Sequence, residues 1–170
     1  MLEVHFITSR DESLSDFPPL RVGLTNRKYP VVVASGLVEN ASQPIMAIDV
    51  CGNDDDYFFK ECVLLWNSCI VIGVGHQLTF VPLASHSSTT TDLSCYFGYL
   101  YPADGLLLVA SASYLYCFGA DGQLLWISQA LGIDGLIVEQ ISDGTVNGLG
   151  EWDPPGGWKP FSLSLATGQP

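Results

Sequence analysis

Basic residues are scarce: six Lys and Arg in 170 residues, against eighteen Asp and Glu, for a net charge of −12. Between Lys60 and Lys159 there is no Lys or Arg at all, while the same stretch holds Glu61, Asp92, Asp104, Asp121, Asp134, Glu139, Asp143, Glu151 and Asp153. Such a surface repels nucleic acid and anionic lipid, so neither is expected as a partner. Long apolar runs are also missing. The strongest, Cys69-Ile70-Val71-Ile72-Gly73-Val74-Gly75, is broken by glycine and falls far short of the roughly 18 residues that span a bilayer. The first residues, Met1-Leu2-Glu3-Val4-His5-Phe6-Ile7, have neither a basic opening nor a long apolar core, so they do not read as a signal peptide and a cytoplasmic location is expected. No CxxC pair occurs. The five cysteines, Cys51, Cys62, Cys69, Cys95 and Cys117, are odd in number and mostly sit in apolar runs, which predicts free, shielded thiols. No Cys/His pair has the spacing of a zinc finger.

The chain also lacks catalytic signatures. Gly73-Val74-Gly75 and Gly148-Leu149-Gly150 have no third glycine and no following helix, so they are not dinucleotide fingerprints. There is no Walker sequence, no HExxH and no GxSxG. His5, His76 and His86 stand apart from any nucleophile motif. Asp54-Asp55-Asp56 lacks the spaced ligands and closing Glu of a calcium loop, and reads as a solvated loop. Glu151 and Asp153 stand two apart, but Pro154 ends the strand and no partner acid is marked out, so a glycosidase pair is not assigned. No catalytic residue, metal or cofactor is expected.

What is present is a strand pattern. Hydrophobic residues make up 48% of the chain and charged residues 14%, a folded-protein composition. Short runs rich in Val, Ile, Leu, Tyr, Phe and Cys alternate with Gly, Pro, Asp, Asn and Ser almost throughout. The runs predict strands at 2–8, 20–25, 30–35, 44–50, 61–66, 69–74, 77–83, 93–101, 106–111, 113–118, 123–128, 134–141, 144–149 and 158–165. The Asp-Gly pairs at 104–105, 121–122, 134–135 and 143–144 suit tight hairpins. No segment keeps a 3.6-residue apolar period; residues 128–133 offer at most one helical turn. Residues 10–19 and the polar tract 85–92 read as loops. The expected fold is a single all-β domain over residues 1–170, made of antiparallel sheets of many short strands joined by hairpins, blade-like or sandwich-like. Val109, Leu115, Cys117, Leu125 and Ile137 are expected to face its core.

Residues 70–83 share a layout with 107–118: an apolar strand, a small-residue turn, then an alternating strand. The second copy continues into Gly119-Ala120-Asp121-Gly122-Gln123-Leu124-Leu125-Trp126. Residues 107–126 resemble the hairpin of a quinoprotein-type or WD-like β-propeller blade, in which a strand leads into an Asp-Gly turn and a Trp ends the next strand. The tail from Phe161 to Gly168 resembles the start of another such hairpin. The resemblance implies blade-like hairpins and no cofactor site. At roughly 40–45 residues per blade the chain holds four at most, fewer than usual propellers, so two packed sheets remain an equal alternative.

The most distinctive stretch is Gly148-Leu149-Gly150-Glu151-Trp152-Asp153-Pro154-Pro155-Gly156-Gly157-Trp158-Lys159-Pro160-Phe161. One reading is a stiff structural loop whose indoles plug the core or cap a sheet edge. The other is a recognition loop, with flat amphipathic rings and carboxylate acceptors. Taken with the acidity and the missing catalytic motifs, it predicts a non-enzymatic binding protein for a basic protein partner, in its concrete form an immunity-like inhibitor of a basic toxin or nuclease. Trp152 and Trp158 would anchor the partner, and Glu151, Asp153, Asp134 and Asp143 would orient its cations. The alternative is a small-molecule or glycan site at the Trp152/Trp158 loop.

Overall fold

A computed structural model describes residues 2–7, 20–23, 27–38, 41–52, 60–85 and 87–170. It is all-β, with no helix among the described residues. The strands are β1 (Leu2–Ile7), β2 (Leu20–Gly23), β3 (Arg27–Val38), β4 (Ala41–Gly52), β5 (Glu61–Trp66), β6 (Cys69–Val74), β7 (Gln77–Pro82), β8 (Thr89–Asp92), β9 (Phe97–Ala103), β10 (Leu106–Ser111), β11 (Leu115–Phe118), β12 (Leu124–Ile127), β13 (Leu136–Ser142), β14 (Thr145–Glu151) and β15 (Trp158–Ser164). The expected loop 10–19 and the acidic cluster 54–56 lie outside the described residues.

The chain divides into two compact units, Met1–Tyr57 with Cys62–Asp92, and Phe58–Glu61 with Leu93–Pro170. The first holds two four-stranded sheets, ordered β1-β3-β4-β2 and β5-β6-β7-β8. Val22, Met46, Ile48 and Val50 of one sheet and Ile70, Ile72, Val74 and Val81 of the other form a single apolar core. One pairing departs from the antiparallel expectation, because β2 runs parallel to β4. The second unit holds a four-stranded sheet, β12-β11-β10-β9, and a three-stranded sheet, β13-β14-β15. Leu108, Ala110, Leu115 and Cys117 of the first meet Leu136, Val138, Val146 and Leu163 of the second, with Leu131 from the connection between them. Two open sheets around one core make a sandwich-like arrangement.

The turn chemistry sets these hairpins. Asp104-Gly105 and Asp143-Gly144 both have positive φ at the two central residues, as a two-residue hairpin turn that matches strand twist requires. Asn67-Ser68 does the same without glycine. The matched segments 70–83 and 107–118 take corresponding places: β6 and β7 are the middle strands of one meander, β10 and β11 of another.

Three expectations are corrected, and the open possibility of a helical turn at 128–133 is closed. Residues 85–92 do not form a loop throughout: Thr89–Asp92 is the edge strand β8, paired with β7 from Gln77 to Phe80. Its β-branched threonines suit an extended strand, and the Thr79 and Thr90 hydroxyls bond across the pair at 3.0 Å. Residues 128–133 form no helical turn; their amides bond elsewhere: Ser128 N–H donates to the Leu115 carbonyl, Leu131 N–H to Ser113, and Ile133 N–H to Glu151. Asp134-Gly135 is not a hairpin turn but the end of the connection entering β13. Finally, Val109, Leu115 and Cys117 are buried, but Leu125 and Ile137 are exposed. β12 and β13 are edge strands; in β12 Trp126 turns inward, and in β13 Leu136 and Val138 take the inward parity.

Candidate functional site

The distinctive Trp-rich stretch is the β14–β15 hairpin of the second unit. Strand register fixes its two faces, since directly paired residues share a face. Gly148 pairs Phe161 and Val146 pairs Leu163, and the Phe161, Val146 and Leu163 side chains meet the core. The alternate pairs, Leu149 with Pro160 and Glu151 with Trp158, therefore lie on the outer face. Ile137 pairs Leu149 and continues the same row across β13. The outer face thus carries Ile137, Leu149 and Pro160 side by side, with Trp158 and Glu151 as the next row toward one end. Ile137 is 42% exposed and Trp158 37%. The Trp158 indole reaches over Gly135, where a β-carbon would sit 3.5 Å from the ring.

Trp152 belongs to the other face. Its N–H donates to the Gly157 carbonyl at 2.9 Å, one step beyond the Glu151–Trp158 pair. Its ring meets the Lys159 ammonium, 5.7 Å from the ring centroid, and Lys159 pairs Gly150 on that same side. Both indoles are partly exposed, 38% and 37%, so neither is a core plug. They do not form one platform, because they stand on opposite faces of the hairpin.

The loop itself is tied down by its own backbone. Gly157 N–H donates to the Asp153 carbonyl at 2.9 Å, and Gly156 N–H donates to Glu151 Oε1 at 2.7 Å. The Pro154–Pro155 peptide is cis. Asp134 is held from the residue that precedes β9: the Tyr96 hydroxyl donates to Asp134 Oδ1 at 2.9 Å and reaches its carbonyl oxygen as well. Burial, then the Asp134 hydrogen bond and the charges of Asp134 and Glu151, push the Tyr96 phenol up to about 12. It therefore stays a donor to Asp134 at any ordinary pH. Glu151 N–H donates to the Gly135 carbonyl, which keeps the Asp134 end of β13 beside Glu151.

Of the residues named from sequence, Asp134, Glu151 and Trp158 come together on or beside the outer face. Asp153 lies in the hairpin loop below them and Trp152 turns to the opposite face. Asp143 sits at the other end of the β13–β14 hairpin, about 20 Å away along a seven-residue strand. Sequence reasoning missed Tyr96, Leu149 and Pro160, and expected Ile137 inside. Parity from Trp158 points to Pro160; nothing in the sequence couples Tyr96 to Asp134, 38 residues away. Among the described residues no group of three or more His, Cys, Asp or Glu side chains is placed to hold a metal ion, and no helix is long and apolar enough to cross a membrane. No family model and no curated protein sequence matches this chain.

Proposed function

We propose that this protein is a non-enzymatic acidic binding module that captures a basic protein, in its concrete form an immunity-like inhibitor of a basic toxin or nuclease. One observation supports it above the others. From Leu93 to the C-terminus the chain carries seven carboxylates, Asp104, Asp121, Asp134, Glu139, Asp143, Glu151 and Asp153, and a single basic side chain, Lys159. All of the seven but Glu151 are exposed, and Lys159 is turned onto Trp152, away from the outer face of the β13–β15 sheet. Strands β13, β14 and β15 thus bring Glu151 to that face, with Asp134 beside it, and none of their own basic side chains. A field of one sign beside exposed apolar groups speeds the encounter with an oppositely charged protein and gives it something to bury against.

The test pairs the protein with the product of the adjacent reading frame and follows association in rising NaCl, together with any nuclease activity of that product. The reading expects binding whose association rate falls at least about tenfold between low and high salt, with loss of the nuclease activity. Salt-insensitive binding, or active nuclease in the complex, contradicts it. The glycan alternative at the Trp152/Trp158 loop needs rings on one side of a sugar. With the indoles on opposite faces, each would have to act alone.

A further inference from the structure

We infer that the docking surface is the outer face of the β13–β15 sheet, and that its occupant is a segment of a basic protein presenting an apolar ridge with Arg or Lys at one end. The inference rests on the acidic-binder reading and names its surface and the form of its partner. The face has a built polarity along the strands. At one end stand Trp158 and Glu151, with Asp134 beside them at the mouth of β13. Next comes the apolar row Ile137, Leu149 and Pro160. Beyond it the paired residues are polar, Gln140 with Asn147, Asn147 with Ser162, Ser142 with Thr145, and Thr145 with Ser164, with the exposed Glu139 at the β13 bulge and Asp143 in the turn at the far end.

A partner is therefore read in sequence from the Trp158 end: cation, then apolar side chain, then polar contact. Both carboxylates at that end are fixed in advance. Glu151 is oriented by the Gly156 N–H on one oxygen, and Asp134 by the Tyr96 hydroxyl on one oxygen. Orientation by these donors lowers the cost of ordering them against a guanidinium, which also stacks on an indole such as Trp158.

The other occupant to weigh is a second copy of this chain. Three strands of seven residues offer roughly 300 Å² of face, well under the ~800 Å² per partner of a standard stable interface. Two copies would also bring together chains of net charge −12. Area and charge both favour a basic partner, for which the field supplies attraction the small apolar row cannot.

The probe is a synthetic ten-residue peptide alternating Arg and Leu, titrated into the whole 15N-labelled protein and followed by NMR, with the same peptide carrying Glu for Arg as control. The expected result is shifts at Ile137, Leu149, Glu151 and Trp158, affinity falling at least about tenfold from low to high NaCl, and no binding of the Glu peptide. Ile137→Ser, at an exposed position that leaves the fold intact, should weaken the Arg peptide several-fold, while Leu125→Ser on β12 should not. Shifts centred on β12 or on the Met1–Tyr57 unit overturn the surface and leave the acidic-binder reading standing. No binding of the Arg peptide at low salt overturns both. A dimer in sedimentation that Ile137→Ser dissolves overturns the choice of occupant.

Discussion

At the residue scale, close packing and held protons make the sharpest expectations. Gly150 sits against the connection to β13: a β-carbon there would lie 1.8 Å from the Leu131 carbonyl oxygen. Gly150→Ala must push that backbone aside, and is expected to cost about 3 kcal/mol, read as a lowered midpoint in urea with an unchanged slope. Tyr96 offers a pH signature. Its phenol is raised above the ordinary value of 10 to about 12 in the folded protein. The folded state thus holds a proton that the unfolded state releases near pH 10. The associated stability is fully present below pH 10 and is lost as pH rises toward 12. Absorbance titration at high pH should show the Tyr96 phenol ionising late, and Asp134→Asn should bring it down. If all tyrosines ionise together near pH 10, the Tyr96–Asp134 contact is absent in solution. Cys117, fully buried and raised by that burial to about 11, should resist thiol reagents until the protein unfolds.

At the element scale, most strands were legible because turns and β-branched runs speak locally. Asp143-Gly144 announces its hairpin, and Gly144→Ala, at φ +72, should lose about 1 kcal/mol. What was not legible depends on partners distant in sequence. Thr89–Asp92 looks like a polar connection until β7 lies beside it. Leu125 and Ile137 look like core residues, since alternation gives a parity but not which parity is inside; Trp126 in one strand and Leu136 and Val138 in the other take the core. The same limit hid the outer face: the sequence places Trp152 and Trp158 near one another, and only the Glu151–Trp158 pairing puts them on opposite sides. Edges also differ in protection. β13 has a bulge beside Glu139, β15 has Pro160, and β9 has Pro102, whereas β12 exposes Leu124, Leu125 and Ile127 with no charge or proline among them. Leu125→Lys should leave the melting temperature nearly unchanged and delay light scattering on heating.

At the scale of the molecule, the proposed binding depends on which face carries the excess negative charge. Charge imbalance was legible in the sequence from the gap between Lys60 and Lys159. Its direction was not, because that depends on Lys159 folding back over Trp152 and on Glu151 pairing with Trp158. Removing the cation is informative: Lys159→Gln should leave the field on the outer face almost unchanged while deepening it around Trp152. The most direct measurement is the local potential itself, read at each backbone amide from paramagnetic relaxation by a cationic and an anionic nitroxide of the same size. The account predicts much stronger relaxation by the cationic probe at Ile137, Leu149, Glu151 and Trp158 than by the anionic one, with a difference that shrinks as NaCl is added. Equal relaxation by the two probes along that face, or stronger relaxation by the anionic probe, would contradict it.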